Sequence, residues 1–312
     1  MKLFSVQQRF KTNSKFMRSL NIVLMLVFSY LGIFAQSNEQ LVKDIHFYAD
    51  IVANAMDTEH KIRANEALVP LVEKALEENI EIDFKKNKFI SDIISPDSLF
   101  SIITWPIQTS ESSHSYAGYI LHQGNVIKLN DQATNMLDNI DYVIGDADNW
   151  FGQLYYSIKQ FEEKEQMKYV LFGINAFTQY EDIKMADIMY FDENGGVVFG
   201  QQLFAKDMKD LRDAKNRIIL KYSDDAPVNL NYNSGLKMIV YDHLIPRMGQ
   251  ISGQGIILTG DGSYEGYSLN EGIWIHKEKL FDQIYDEAPR PTPVFDDEKS
   301  GRDIFGKPKG KN

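Results

Sequence analysis

The stretch from Gln153 to Gln202 constrains this chain more than any other. It reads QLYYSIKQF, MKYVLFGIN and DIKMADIMYFD, then Asn194-Gly195-Gly196, then VVFGQQ. Runs rich in β-branched and aromatic side chains, joined by short polar connections and closed by an Asn-Gly turn, have the pattern of consecutive antiparallel strands. Further runs of the same kind flank it. Leu99 to Ile107 is one, and Pro106 predicts an edge or a bulge at its end. Tyr116 to His122 and Val126 to Leu129 enclose Gln123-Gly124-Asn125, a hairpin signal. Arg217 to Tyr222, Leu236 to Tyr241, Ile256 to Thr259 and Ile273 to His276 complete the set. The polar, acidic segment Asp131 to Asn149 reads as a long excursion between strands. Strands at hairpin spacing without helical crossovers predict an antiparallel sheet system, closed as a barrel or stacked as a sandwich.

Before the strands the period is helical. Ser37 and Gln40 form a capping box, and Leu41, Ile45, Tyr48, Val52, Ala55 and Met56 follow at helical spacing. Asp57-Thr58 caps a second run, with Ile62, Leu68, Val69, Val72 and Leu76 on one face and a break or kink expected at Pro70. Each helix has a single apolar stripe, so the two are expected to form an antiparallel pair packed on the sheet. Ile80, Ile82 and Phe84 then alternate with acidic residues, which is a strand period, and Ser95-Pro96-Asp97 is a turn. The expected fold is α+β: a helical segment over residues 36–95, an antiparallel β domain over 96–285, and a tail over 286–312 whose Pro-rich, charged composition cannot supply a core.

The first residues have a different character. Lys2, Arg9, Lys11, Lys15 and Arg18 precede an apolar run from Leu20 to Phe34 that ends at Ala35-Gln36. A basic leader, a short apolar core and a small residue at the boundary describe a secretory signal peptide cut between Ala35 and Gln36, over a run shorter than the ~20 residues of a membrane span. Removing residues 1–35 takes 33 Lys+Arg to 28 against 44 Asp+Glu, a formal charge of −16 compared with −11 for the whole chain. So acidic a surface repels nucleic-acid phosphates and argues against nucleic acid as a partner. The chain has no cysteine, so neither disulfides nor a lipid-anchoring cysteine is available. These features predict an exported protein, periplasmic or extracellular, with no stable membrane span after cleavage.

Candidate sites are few. Asp242-His243 follows the Leu236–Tyr241 run, where a loop-edge side chain can serve as general base or metal ligand, although a single histidine usually satisfies a backbone carbonyl instead. Asp261-Gly262-Ser263-Tyr264-Glu265-Gly266 begins like a calcium loop, but Gly272 stands where the closing glutamate belongs, which favours a glycine-rich turn. Asp138, Asp141, Asp146 and Asp148 read as a solvated acidic loop. Trp105, Trp150, Tyr155, Tyr156, Tyr169, Tyr190 and Phe191 can stack on sugars or fill a core, and core packing is the commoner use. The nucleophile-elbow, zinc-protease and phosphate-loop motifs are absent from the sequence, and nothing implies a metal or other cofactor.

Phe47-Tyr48-Ala49-Asp50, Asp97-Ser98-Leu99-Phe100, Trp105, Asn149-Trp150-Phe151-Gly152 with Leu154-Tyr155-Tyr156, Leu171-Phe172-Gly173, Phe199-Gly200, Asp242-His243-Leu244 and Asp261 to Gly266 together give a pattern that resembles a family of exported Bacteroidota proteins of uncharacterised activity. Where that family has proline, this chain has Gly260. The resemblance also implies that Asp97-Ser98-Leu99 is similar to an O-glycosylation acceptor. The resulting expectation is an envelope protein, non-enzymatic, that binds a protein partner or a glycan. The alternative is a periplasmic hydrolase or lipid-type carrier with a site near Trp150, Asp242, His243 and Asp261.

Overall fold

The structure, a computed structural model, describes residues 37–209, 211–249 and 254–280. The expected cleavage point at Ala35–Gln36 and the tail 286–312 lie outside the described residues. The chain forms an α+β stack: a helix pair, then three β-sheets laid face to face. Helix α1 covers residues 37–54 and α2 Thr58–Glu77. Asp57 caps α2 by accepting the Glu59 N–H at 2.8 Å. The helix runs through Pro70 without the expected break: Pro70 lies on the exposed side, and so does Glu66, whose carbonyl loses the amide partner. Met56 falls past the end of α1 and is fully exposed, so its place in the apolar stripe is not realised.

The first sheet holds β1 (Ser91–Ile94), β2 (Phe100–Ser110), β3 (Ser113–His122) and β4 (Asn125–Asn130) as an antiparallel meander. It therefore begins inside the segment expected to be helical. Ile80, Ile82 and Phe84 are not a strand: Phe84–Lys86 is a 3-10 turn, and the alternation reflects an irregular connector that presses Ile82 and Phe84 into the helix core. Pro106 lies mid-strand in β2, beyond the reach of β1, which ends opposite Thr104. Its partner Tyr116 gives its N–H to Asp131, away from β2, so the amide missing from Pro106 is one that no neighbour requires. Leu41, Ile45, Leu68 and Val72 pack on Ile103, Trp105 and Ile107 of β2. Trp105 donates Nε1–H to Asn65 of α2 at 2.8 Å, which fixes the helices on the sheet.

The second sheet comprises β5 (Leu154–Glu163), β6 (Gln166–Asn175), β7 (Glu181–Phe191), β8 (Val197–Phe199) and β10 (Arg217–Ser223), in the order β10-β7-β6-β5 with β8 on β7. It is covered on both faces. Tyr169 and Leu171 of β6 meet Phe100, Ile102 and Ile120 of the first sheet, while Val170 and Phe172 meet Ile239 and Trp274 of the third. A strand buried on both sides needs apolar residues at every position, and this is why the run from Tyr169 to Phe172 shows no alternation.

The third sheet holds β9 (Phe204–Ala205), β11 (Leu230–Asn233), β12 (Met238–Met248), β13 (Ile256–Asn270) and β14 (Ile273–Lys277), ordered β11-β12-β13-β14-β9. β14 and β9 pair in parallel over two positions, a departure from the all-antiparallel expectation. The stack is a sandwich of sheets and not a barrel. Between β4 and β5 the excursion carries a short helix α3 (Ala133–Met136), and Asp131 anchors it by accepting N–H groups of Ala133 and Gly152 at 2.9 and 3.0 Å and of Tyr116 at 2.9 Å. No helix among the described residues is long and apolar enough to cross a membrane.

Candidate functional site

Of the residues singled out by sequence, Asp242, His243 and Asp261 share one irregularity in the β12–β13 pairing, while Trp150 lies apart from them. Trp150 is 1% exposed, sits in the core between the first and second sheets, and donates Nε1–H to the Tyr155 hydroxyl at 2.8 Å. Trp105 and Trp274 are equally buried, so none of the tryptophans presents a face to a sugar. Asp242 and His243 lie inside β12 and not at a loop edge, since β12 runs on to Met248. Likewise Asp261 to Gly266 is part of β13 and not a turn between strands. The pairing jumps from Asp242↔Tyr264 to Leu244↔Gly260, so His243 faces three residues, Asp261, Gly262 and Ser263. This is a bulge, and Gly262 supplies its φ of 91°. Glycine and aspartate serve a bulge for the same reason that they serve a turn, and that is why sequence alone misplaced the segment.

Successive strand residues point to opposite faces, so Asp242 and His243 part company. Asp242 is buried and accepts the Asn229 N–H, which ties the entry of β11 to β12. Asp261 is exposed and accepts N–H and O–H of Ser263, within its own bulge. His243 joins a cluster that sequence inspection did not find. Glu265, opposite Tyr241 in the register, accepts from the Tyr241 hydroxyl at 2.8 Å, contacts Nε2 of His276 at 2.8 Å, and contacts Nδ1 of His243 with its other oxygen. One carboxylate thus links β12, β13 and β14. Burial works against the charge of Glu265, but the hydrogen bonds from Tyr241, His243 and His276 outweigh it and hold the carboxyl below its ordinary value. Burial, followed by the charge of Glu265, pushes Tyr267 beside it up to about 12.

The cluster has a pH signature with a definite sign. A carboxyl depressed in the folded state contributes stability above its unfolded value, and the contribution is lost as pH falls through the folded value. In urea titrations, wild type is expected to exceed Glu265→Gln by a full margin at pH 7, and the margin should close below about pH 4. A margin unchanged at pH 3 would contradict the assigned hydrogen bonds. The polar groups of this cluster are engaged with one another, and no three acidic or histidine side chains among the described residues are placed to hold a metal.

A further concavity lies elsewhere, where the first and second sheets meet the excursion. It is an open groove of about 710 Å³ between the β3–β4 turn, the β7–β8 turn and residues 144–148. Gln123 and Gly124, with φ of 51° and 79°, make the two-residue turn that closes β3 onto β4. His122 at the base is 6% exposed, stacks on Phe191 at 3.6 Å, and approaches the Leu99 carbonyl with Nδ1 at 3.2 Å. A carbonyl only accepts, so Nδ1 carries a hydrogen and donates it. Asp192 accepts the N–H groups of Asn194 and Gly196, both at 2.8 Å, and Asp146 those of Asp148 and Asn149 at 2.9 and 2.8 Å. Asp148 accepts from the Asn130 amide at 2.8 Å. Three carboxylates are therefore held rigidly at the groove, and its lining contains no lysine or arginine. The sequence marked Asp146 and Asp148 as a solvated loop; the partner Asp192 comes from a distant turn, and only the stacking of the sheets brings it alongside. No family model, curated protein or solved structure matches this chain.

Proposed function

We propose that this protein is an exported, non-enzymatic binding module that takes a basic segment of another envelope protein into the groove between its first and second sheets. The observation that carries this reading is the charge of the groove: Asp146, Asp148 and Asp192 line one concavity without a compensating cation, each fixed by hydrogen bonds to its own neighbourhood. Fixed carboxylates favour a ligand that brings ammonium or guanidinium groups over a neutral glycan. Buried tryptophans and the mutually engaged Glu265 cluster support binding over catalysis, because neither offers a reactive group beside this groove.

The reading is tested by titrating the protein with a Gly-Lys repeat peptide, its lysine-acetylated counterpart and a neutral oligosaccharide. The unmodified peptide should bind, weaken steeply with salt, and lose about two- to fivefold in affinity for each of Asp146→Asn and Asp148→Asn. Preference for the acetylated peptide or the oligosaccharide, insensitive to salt, would overturn it.

A further inference from the structure

The far half of the β12–β13 hairpin, Leu244–Met248 paired with Ile256–Gly260, runs past the ends of β11 and β14 as a two-stranded arm. Where it leaves the sheet, a cavity of about 360 Å³ opens between the arm, the Asp225–Pro227 turn and the bulge. The register sets its walls. Arg247 is directly opposite Ile257, and Thr259 lies two residues further along the same face, so all three look into the cavity from the arm. Asp242, at the base of the arm, and Asp225, on the turn, complete the polar lining.

The chemistry of these walls is asymmetric. Asp242 is 6% exposed, and it accepts from the Asn229 N–H through Oδ2. Lys184 is close enough to feel its charge, but the Lys184 ammonium is directed at the Val228 carbonyl. Asp225 accepts from the Ser223 hydroxyl. Further out on the arm, the Arg247 guanidinium belongs to an exposed residue and forms no ion pair or hydrogen bond among the described residues. The Thr259 hydroxyl is buried without any hydrogen-bond partner among the described residues, an unfavourable state that a bound polar group would relieve. Between the charged ends, Ile257 and Met248 supply apolar surface. The volume is at the small end of the ~300–1,000 Å³ range of ligand sites.

We propose that this cavity binds a free α-amino acid. The ammonium group faces Asp242 and Asp225, the carboxylate takes the two-pronged guanidinium of Arg247, the Thr259 hydroxyl gains its missing partner, and an aliphatic side chain lies along Ile257 and Met248. Carboxylates on the turn and at the base of the arm, with a guanidinium further out, select a zwitterion over a simple cation, for which Arg247 is repulsive. This site is separate from the acidic groove and does not depend on it.

The test uses the protein purified from cells that express it, titrated calorimetrically with the twenty free L-α-amino acids. The best binder is then compared with its N-acetyl and C-amide derivatives. Saturable binding is expected for an aliphatic member, with a loss of at least tenfold when either end is blocked. Arg247→Met should remove most of the difference between the acid and its amide, and Thr259→Val should weaken both several-fold. Arg247 is exposed, so its replacement leaves the fold intact, which circular dichroism verifies. The proposal is overturned if no amino acid binds, if blocking the ends has no effect, or if folded Arg247→Met still discriminates the amide as wild type does. Asp192→Asn, in the groove, should leave all these values unchanged.

Discussion

Replacing Arg217 with alanine is expected to lower the free energy of unfolding by about 3–5 kcal/mol, enough to consume much of the stability of a typical domain. Arg217 is completely buried and stands directly opposite Asp187 across the β10–β7 pair, with Nε 3.1 Å from the carboxylate. Its guanidinium also donates to the Ile140 carbonyl at 2.5 Å, so one side chain fastens the excursion to the middle sheet. Truncation leaves Asp187 charged or freshly protonated in a water-free site and orphans that carbonyl. The loss comes from the stranded partner and not from any large net value of the pair. Arg217→Met combined with Asp187→Leu should therefore recover most of it, since apolar replacement of both members of a buried pair is often neutral. Urea unfolding of the single and double variants measures both numbers. A single-variant loss below about 1 kcal/mol would mean that Arg217 is not buried as described.

Trp150→Ala is expected to cost a similar amount, about 3–5 kcal/mol, through a large cavity and a Tyr155 hydroxyl left with only the long 3.4 Å contact from Gln153 Nε2. The indole packs against Leu129 and Phe199, and a Cβ at Gly118 would stand 3.3 Å from its ring. Trp150→Phe keeps the ring contact but not the hydrogen bond, and should cost distinctly less. In both variants, the fraction that remains folded should bind ligands as wild type does. Loss of binding by a fully folded Trp150→Phe would return Trp150 to the role of a ligand residue.

The strands themselves were legible because their signals are local. Val170 and Phe172 announce burial by composition, and the β3–β4 turn announces itself through Gln123-Gly124-Asn125. The stacking order was not legible. That Tyr169 meets the first sheet and Val170 the third depends on which sheet lies on which side, and a run apolar at every position gives no hint of it. β1 escaped notice because its four residues, Ser91-Asp92-Ile93-Ile94, are too few and too polar to establish a period. Ile80, Ile82 and Phe84 had the period without the partner strand that would make it a sheet.

The sites illustrate the same division. Asp242 and His243 read as a pair because they are adjacent, but adjacency in a strand separates side chains to opposite faces. Glu265 lies within the stretch that begins like a calcium loop, and its real partners, His243 and His276, reach it only across the register of β12, β13 and β14. Asp192 meets Asp146 through the same kind of long-range pairing, since Gly145 is bridged to Phe199 at the end of β8. Chemistry that depends on distant residues becomes visible only when the sheets are in place.

The measurement that bears most directly on groove recognition is site-specific photo-cross-linking in the intact envelope. A photoreactive residue at Ile144, an exposed side chain lining the groove, should capture one recurrent protein through a lysine- or arginine-rich segment, while the same probe at Met56, exposed at the end of α1, captures none. Capture from Met56 alone, or capture at Ile144 of a segment without basic residues, would contradict the account.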